Sequence, residues 1–349
     1  MAVYATFVTI KRDFFMHNEL SIHFCHTNRC EVCVGRAHEL LRGLLPAGRV
    51  VTIADANVAH LCGPLGLDEV VTIEASEQNK SIDTANMLWH RLIGLGADRD
   101  TFLLGVGGGI TTDLVGFVAS TFMRGVHFGL IPTTLLAQVD AAIGGKCGMN
   151  FDGYKNMVGA FALADFVVCD VELLSSLPPR EVRSGMAEVI KSGIIGDAAL
   201  FELCERNDLR SLLEDRSVFD EVVRRAAAVK CGIVGRDLLE GGERRFLNLG
   251  HTLAHAIESL TREFTHGEAV AIGLVYAAAK SLRAGLLSQA DYERIVSVVE
   301  RYDLPTHTDL PEESLREAMA HDKKAHCDTI RWVLPTAIGK GMREVVEPK

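Results

Sequence analysis

A parallel-sheet α/β fold followed by a helical second half is what this 349-residue sequence predicts. Three observations carry the prediction. Short apolar runs alternate with helical patterns through the first half, a Pro178-Pro179 pair ends that texture, and amphipathic patterns without strand signals run from Glu181 to about Ala318. Strand–helix alternation implies a parallel sheet covered on both faces, and a double proline suits a linker and a helix start. The boundary is therefore placed there, with an α/β domain at 1–178 and an all-helical architecture at 179–349. Each part is long enough to bury a core.

The elements follow in order. Arg49–Asp55 reads as a strand ending in a polar turn, Val70–Ile73 as a second, and Thr101–Val106 as a third. Phe128–Pro132 and Phe166–Asp170 add two more, and Ser81–Leu95 is an intervening helix. The cluster Gly105-Val106-Gly107-Gly108-Gly109 follows a strand and precedes a helical run at Asp113–Phe122. Glycines there let backbone N–H groups approach a phosphate at a helix N-terminus, where the dipole favours an anion. A tight strand-to-helix turn would use the same residues, and the spacing is not a strict G-x-G-x-x-G.

Apolar content of 48% and charged content of 23% are those of an ordinary soluble protein. A net charge of −10 argues against nucleic-acid or anionic-membrane partners. No apolar run reaches the ~20 residues that span a bilayer, and the start Met1–Thr6 lacks a charged region before an apolar core, so the expected location is cytoplasmic. The nine cysteines, mostly in apolar settings, suit reduced thiols. His23, Cys25, His26, Cys30 and Cys33 could form a small metal site, but no second pair follows at finger-like spacing. Buried thiols around a strand and a helix start are therefore the expected reading.

Chemistry gathers in the second half. His251 and His255 stand four residues apart within LNLGHTLAHAIE, and His266-Gly267-Glu268 follows shortly. An i, i+4 spacing puts two imidazoles on one helix face about 5–6 Å apart, which suits a divalent metal; two satisfied histidines would look the same. A zinc peptidase would carry Glu directly after the first histidine, where this chain has Thr252. In the first half, Asp140, Lys146, Lys155 and Asn156 lie among small and apolar residues. Lysine in such company calls for an anionic partner, although each cation singly also fits a solvated surface charge. With Arg124, Lys230, Arg244 and Lys323-Lys324 they point to a small, polyanionic, hydroxylated substrate.

From Gly105 to Phe161 and from Leu177 to Lys340 the chain resembles the 3-dehydroquinate synthases, members of the NAD-dependent sugar-phosphate cyclases. The matching stretches are GVGGGITTDLVGF, TFMRG, IPTTLLAQVDAAIGGKCGMN, KNMVGAF, LPPREVRSGMAEVIKSG, NLGHTLAHAIE, HGEAVAIGLVYAA, DKK and LPTAIGK. Two positions depart from the family pattern: Ile110-Thr111-Thr112-Asp113 replaces Val-x-Gly-Asp, and Cys147 replaces the Thr of G-K-T-G.

The resemblance implies a Rossmann-like NAD-binding first domain and a second domain that binds metal and substrate. The metal, zinc or cobalt, would be held by Glu188, His251 and His266, which leaves His255 as a catalytic residue rather than a ligand. NAD would rest its pyrophosphate on Gly107, Gly108 and Gly109, beside Asp113. Asp55, Asn57, Glu77, Lys80, Thr133, Thr134, Lys155 and Ser176 would line the rest of the cofactor, Ser176 keeping the hydroxyl of a common Thr.

The implied reaction is conversion of 3-deoxy-arabino-heptulosonate 7-phosphate (DAHP) to 3-dehydroquinate with loss of phosphate, on the route to aromatic amino acids. Lys146, Asn156, Lys324 and Arg124 would bind phosphate, with Arg124 lent by a neighbouring subunit of a homodimer. Lys230, Arg244 and Asn248 would clamp the carboxylate, Asp140 and His255 would relay protons, and Lys191 would add a nearby charge. Sister cyclases that act on sedoheptulose 7-phosphate or glucose 6-phosphate have no carboxylate to clamp. An aminodehydroquinate synthase shares the carboxylate and stays open; a glycerol-type polyol dehydrogenase would have no use for the cations, and an inactive binding module would not need every catalytic-type position to be occupied.

Overall fold

The computed structural model describes residues 6–10, 20–24, 29–321 and 329–348. An antiparallel pair, β1 (Thr6–Ile10) and β2 (Leu20–Phe24), precedes the main sheet. That sheet has six strands: β3 (Glu31–Val34), β4 (Val50–Asp55), β5 (Val70–Ile73), β6 (Phe102–Gly107), β7 (Phe128–Pro132) and, further along the chain, Phe166–Cys169. Numbering the intervening hairpin β8 (Lys146–Phe151) and β9 (Tyr154–Phe161) makes this last strand β10. The spatial order is β3-β10-β7-β6-β4-β5, parallel throughout.

The central strands β6, β7 and β10 are buried at every position, so they read as continuous apolar runs rather than alternations. Alternate residues still face opposite layers. Leu104, Val106, Ile131 and Val168 pack under α1 (Ala37–Leu44) in one cluster. Ile53, Leu103, Leu130 and Val167 join a larger core with α2 (Ile82–Gly94) and α3 (Gly109–Thr121) that continues into the helical half.

The β8–β9 hairpin was not legible as strands, because basic and polar residues cover its alternation. Its turn, Asp152-Gly153, has φ of +50° and +76°, the left-handed pair that a two-residue hairpin turn demands. The hairpin lies on α3, where a Cβ at Gly116 would stand 2.2 Å from Cys147 Sγ. Gly116 thus makes room for the unusual Cys147.

The second half opens at α4 (Pro179–Gly196), with proline at its first turn and burial along most of its length. It continues through α5 (Ala198–Arg206), α6 (Leu209–Glu214), α7 (Arg216–Arg236), α8 (His251–Leu260), α9 (His266–Arg283), α10 (Gln289–Arg301) and α11 (Glu312–His321). One correction applies to the all-helical expectation. The half ends in an antiparallel hairpin, β11 (Thr329–Pro335) and β12 (Met342–Pro348). Ile330, Trp332 and Leu334 enter the core from it, and Thr252 on α8 donates to the Arg331 carbonyl at 3.0 Å. Among the described residues no helix is long and apolar enough to cross a membrane. Cys30 and Cys33 are free thiols beside and on β3, and burial pushes the Cys30 thiol up to about 12. Cys25, His26 and the His23 side chain lie outside the described residues.

Candidate active site

Three helices bring the proposed ligands together. Glu188 sits inside α4, while His251 and His266 open α8 and α9. Backbone-to-backbone contacts set this convergence. Gly267 follows His266; its amide donates to Ser184 Oγ at 3.0 Å, and an added Cβ would lie 1.9 Å from the Ser184 carbonyl oxygen. Gly250, before His251, has φ +80°, and its carbonyl lies where a Cβ of Gly273 would be, at 2.0 Å. Gly267→Ala should therefore drive α9 off α4 and separate His266 from Glu188. Loss of stoichiometric zinc, measured on refolded protein with native-like circular dichroism, is the expected outcome.

The ligand atoms of Glu188, His251 and His266 all lie within 4.8 Å of one another. The Nε2 atoms of His266 and His251 stand 3.4 and 3.6 Å from Glu188 Oε1. Two atoms each about 2.1 Å from a tetrahedral ion sit about 3.4 Å apart, so the set fits a divalent metal. Glu188 Oε2 is in contact with Lys191 Nζ, while Oε1 is buried and faces the two histidines, as a ligand atom would. Burial alone would raise the Glu188 carboxyl, but Lys191 and His266 hold it down at about 2. Burial opposes the charge on His266, yet Glu188 and Glu258 on either side raise it to about 10. Burial and then Lys191 push His251 well below its usual value. His255 stacks edge-on to His251 at 5.6 Å between ring centroids and is not part of the three-residue set. The i, i+4 spacing alone had pointed to the other pair.

A charge network borders this cluster. Asp140 lies in a π-helical turn, Ala137–Ala141, a geometry frequent at functional sites. Its carboxylate meets Lys230 at 2.7 Å and Lys191 at 3.5 Å, and Lys230 also donates to its carbonyl at 2.6 Å. Burial disfavours the charge on Asp140, but the two lysines hold its pKa low; burial pulls Lys230 down. Arg244 is buried and donates to the carbonyls of Leu238 and, at 2.8 Å, Gly144. Asn248 donates to Glu240 at 2.9 Å, and Lys146 pairs with the same carboxylate at 2.6 Å. Lys324 lies outside the described residues.

Of the cofactor candidates, Gly107, Gly108, Gly109, Asp113, Thr133 and Thr134 lie at or beside the β6–α3 turn. A Cβ on Gly107 would lie 2.5 Å from Thr111 Oγ1, and one on Gly108 3.0 Å from Thr134. Gly108 caps α3 without any side-chain bond, which leaves first-turn N–H groups for an anion such as a pyrophosphate. The Thr133 amide donates to the Gly107 carbonyl at 2.9 Å, and Thr134 Oγ1 accepts from Ala137 at 3.2 Å. Lys80, buried, spans Asp113 at 2.5 Å and Asn156 at 2.6 Å. Asn150 donates to Glu77 at 2.8 Å, Asp55 accepts from Asn57 at the end of β4, and Lys155 pairs with Glu258 at 3.0 Å. Ser176 is exposed just before α4.

Arg124 follows the C-terminal end of α3 at φ +71°. Thirteen helical residues place it about 20 Å from the glycine turn of its own chain. Sequence reasoning missed Glu240, Glu258 and Asn150. Glu258 had a signal: seven residues after His251, it shares that helix face.

A parallel sheet with a glycine turn, joined to a carboxylate–histidine–histidine cluster on helices, fits a nucleotide- and metal-dependent enzyme. The chain is similar to 2-epi-5-epi-valiolone synthase from Streptomyces hygroscopicus subsp. jinggangensis 5008, solved with NAD+ and Zn2+ bound. The two share 30% identity with a TM-score of 0.83, over 93% of this chain and 94% of that one. A 2-deoxy-scyllo-inosose synthase (24% identity, TM-score 0.77, 99% and 96% coverage) shares the fold. So does a probable glycerol dehydrogenase from Sinorhizobium meliloti 1021 (17%, 0.59, 84% and 89%).

Residues 70–184 match the 3-dehydroquinate synthase N-terminal model and 185–325 the C-terminal one. The 3-dehydroquinate synthase of Pyrococcus abyssi is 46% identical over 77% of this chain and 79% of its own length. That of Pelobacter propionicus is 42% identical over 86% and 87%. The chain belongs to the 3-dehydroquinate synthase family.

Proposed function

We propose that the chain converts DAHP to 3-dehydroquinate and phosphate as an NAD- and metal-dependent lyase. The observation that carries this reading is the charge balance at the site. Lys191 and Lys230 are buried against Asp140 and Glu188, and Arg244 is buried near Glu240 and Asp140, beside a set of donors fit for a divalent ion. A bound divalent ion would tip that balance toward positive charge, which an anionic sugar phosphate with a carboxylate offsets and an uncharged diol would not.

Glu188, His251 and His266 would hold zinc or cobalt, and Gly107, Gly108 and Gly109 would seat the NAD pyrophosphate beside Asp113. When bound, NAD takes up and returns a hydride and the metal polarises substrate hydroxyls. Lys80 holds Asp113 and Asn156 in one cluster, with Glu77, Asp55, Asn57, Thr133, Thr134, Lys155 and Ser176 arranged along the cofactor side. Lys230, Arg244 and Asn248 would clamp the carboxylate. Asn248 would have to part from Glu240 to do so, as would Lys146 to bind phosphate, because that carboxylate now occupies both as a substrate anion would. Lys146, Asn156 and Lys324 would receive the phosphate.

Asp140, kept ionised by Lys191 and Lys230, would accept and orient substrate protons, and His255 would relay them. Arg124 would complete the phosphate site, lent by the partner in a homodimer. We place the NAD-binding part at 1–178, the metal- and substrate-binding part at 179–349, and the enzyme in the cytoplasm.

Incubation with DAHP, NAD+ and zinc tests this function. Phosphate release without net NADH is the expected result. NADH accumulating from glycerol would make the chain a dehydrogenase, and neither activity would leave a binding module.

A further inference from the structure

We propose that Glu258 is the positioning residue of the metal centre: its carboxylate fixes His266 from behind and ties that ligand to the β8–β9 hairpin. The inference rests on the metal site proposed above. A neutral imidazole offers a lone pair from one nitrogen only when the other carries the proton, and the group that accepts this proton sets both tautomer and ring orientation. His251 meets the requirement with a backbone group, its Nδ1 lying 3.1 Å from the Leu249 carbonyl oxygen. His266 uses a side chain instead: its Nδ1 faces Glu258 Oε2 at 3.4 Å, while its Nε2 looks at Glu188 Oε1, also at 3.4 Å. Both histidines thus turn Nε2 toward the same oxygen and anchor Nδ1 on the far side.

The anchor is built rather than incidental. Glu258 sits on α8 two turns beyond His251 with only 12% of its side chain exposed. Its second oxygen, Oε1, accepts from Lys155 on β9 at 3.0 Å. One carboxylate is therefore held between a candidate metal ligand on α9 and a candidate cofactor residue on the hairpin. Lys155 pairs with the carboxylate, and it is Glu258 that faces the His266 ring.

Zinc affinity by chelator competition, together with the visible absorption spectrum of the cobalt-loaded protein, tests this assignment without reference to turnover. Glu258→Gln should bind zinc about 10–100-fold more weakly and shift the cobalt bands, because the amide can present N–H instead of accepting from Nδ1. Glu258→Asp keeps the charge but withdraws it by a methylene, and gives the same readout, at least about threefold weaker binding, if glutamine is not tolerated. Lys155→Met, which leaves the carboxylate in place but unsteered, should cost less zinc affinity than Glu258→Gln. Unchanged affinity and cobalt spectrum in a folded Glu258 variant would overturn the proposal, as would an equal loss in Lys155→Met. Full zinc binding by His266→Ala would instead overturn the metal site itself, so the two failures are distinguishable.

Discussion

Glu188→Gln protein is expected to bind no stoichiometric zinc and to lose turnover to background, while staying folded. The substitution keeps the volume of a side chain buried inside α4 but removes the charge that faces both histidine Nε2 atoms. A three-ligand site cannot spare one member. His255→Ala is the informative contrast. His255 lies beside His251 but outside the converging set, so its loss should keep the metal and lower kcat by about 10²–10⁴, the range of a general acid–base group. Metal content and kcat measured on the same preparations decide the matter. Loss of zinc from His255→Ala would restore the i, i+4 pair as the ligands.

Lys230→Met and Arg244→Ala should each weaken DAHP binding by about 2–5 kcal/mol, roughly 30- to several-thousand-fold, with zinc content unchanged. Both cations are buried, and each removal leaves a substrate anion short of a partner where water cannot replace it. Arg244→Lys should not restore affinity. The guanidinium fork reaches two carbonyls at once, Leu238 and Gly144, and a single ammonium cannot copy that geometry. Steady-state KM for DAHP, set against zinc content, checks both.

Much of the sheet was legible because its strands are buried on both faces: Phe102–Gly107, Phe128–Pro132 and Phe166–Cys169 each read as an apolar run between turn signals. The hairpin at 146–161 was not, since its residues alternate between α3 and the site and so carry lysine and asparagine; the Asp152-Gly153 turn was the one local clue. The closing hairpin, β11 and β12, was hidden by the length of the helical texture before it. The ligand set shows the sharper limit. Spacing sees one helix at a time, and it favoured His251 with His255. The convergence of α4, α8 and α9 depends on Gly267 against Ser184 and Gly250 against Gly273, contacts between segments that no periodicity encodes. The resemblance to a family supplied Glu188 and His266, but Glu258 and Glu240 emerged only from geometry.

Relative turnover of DAHP and sedoheptulose 7-phosphate by the zinc- and NAD+-supplied enzyme tests the substrate assignment most directly. The two sugars differ at the carboxylate that Lys230, Arg244 and Asn248 would clamp. A kcat/KM for DAHP higher by at least about 100-fold is expected, in keeping with the loss of one charged partner in a buried pocket. Equal or better turnover of sedoheptulose 7-phosphate would contradict the account and place the chain's activity with the sister cyclases.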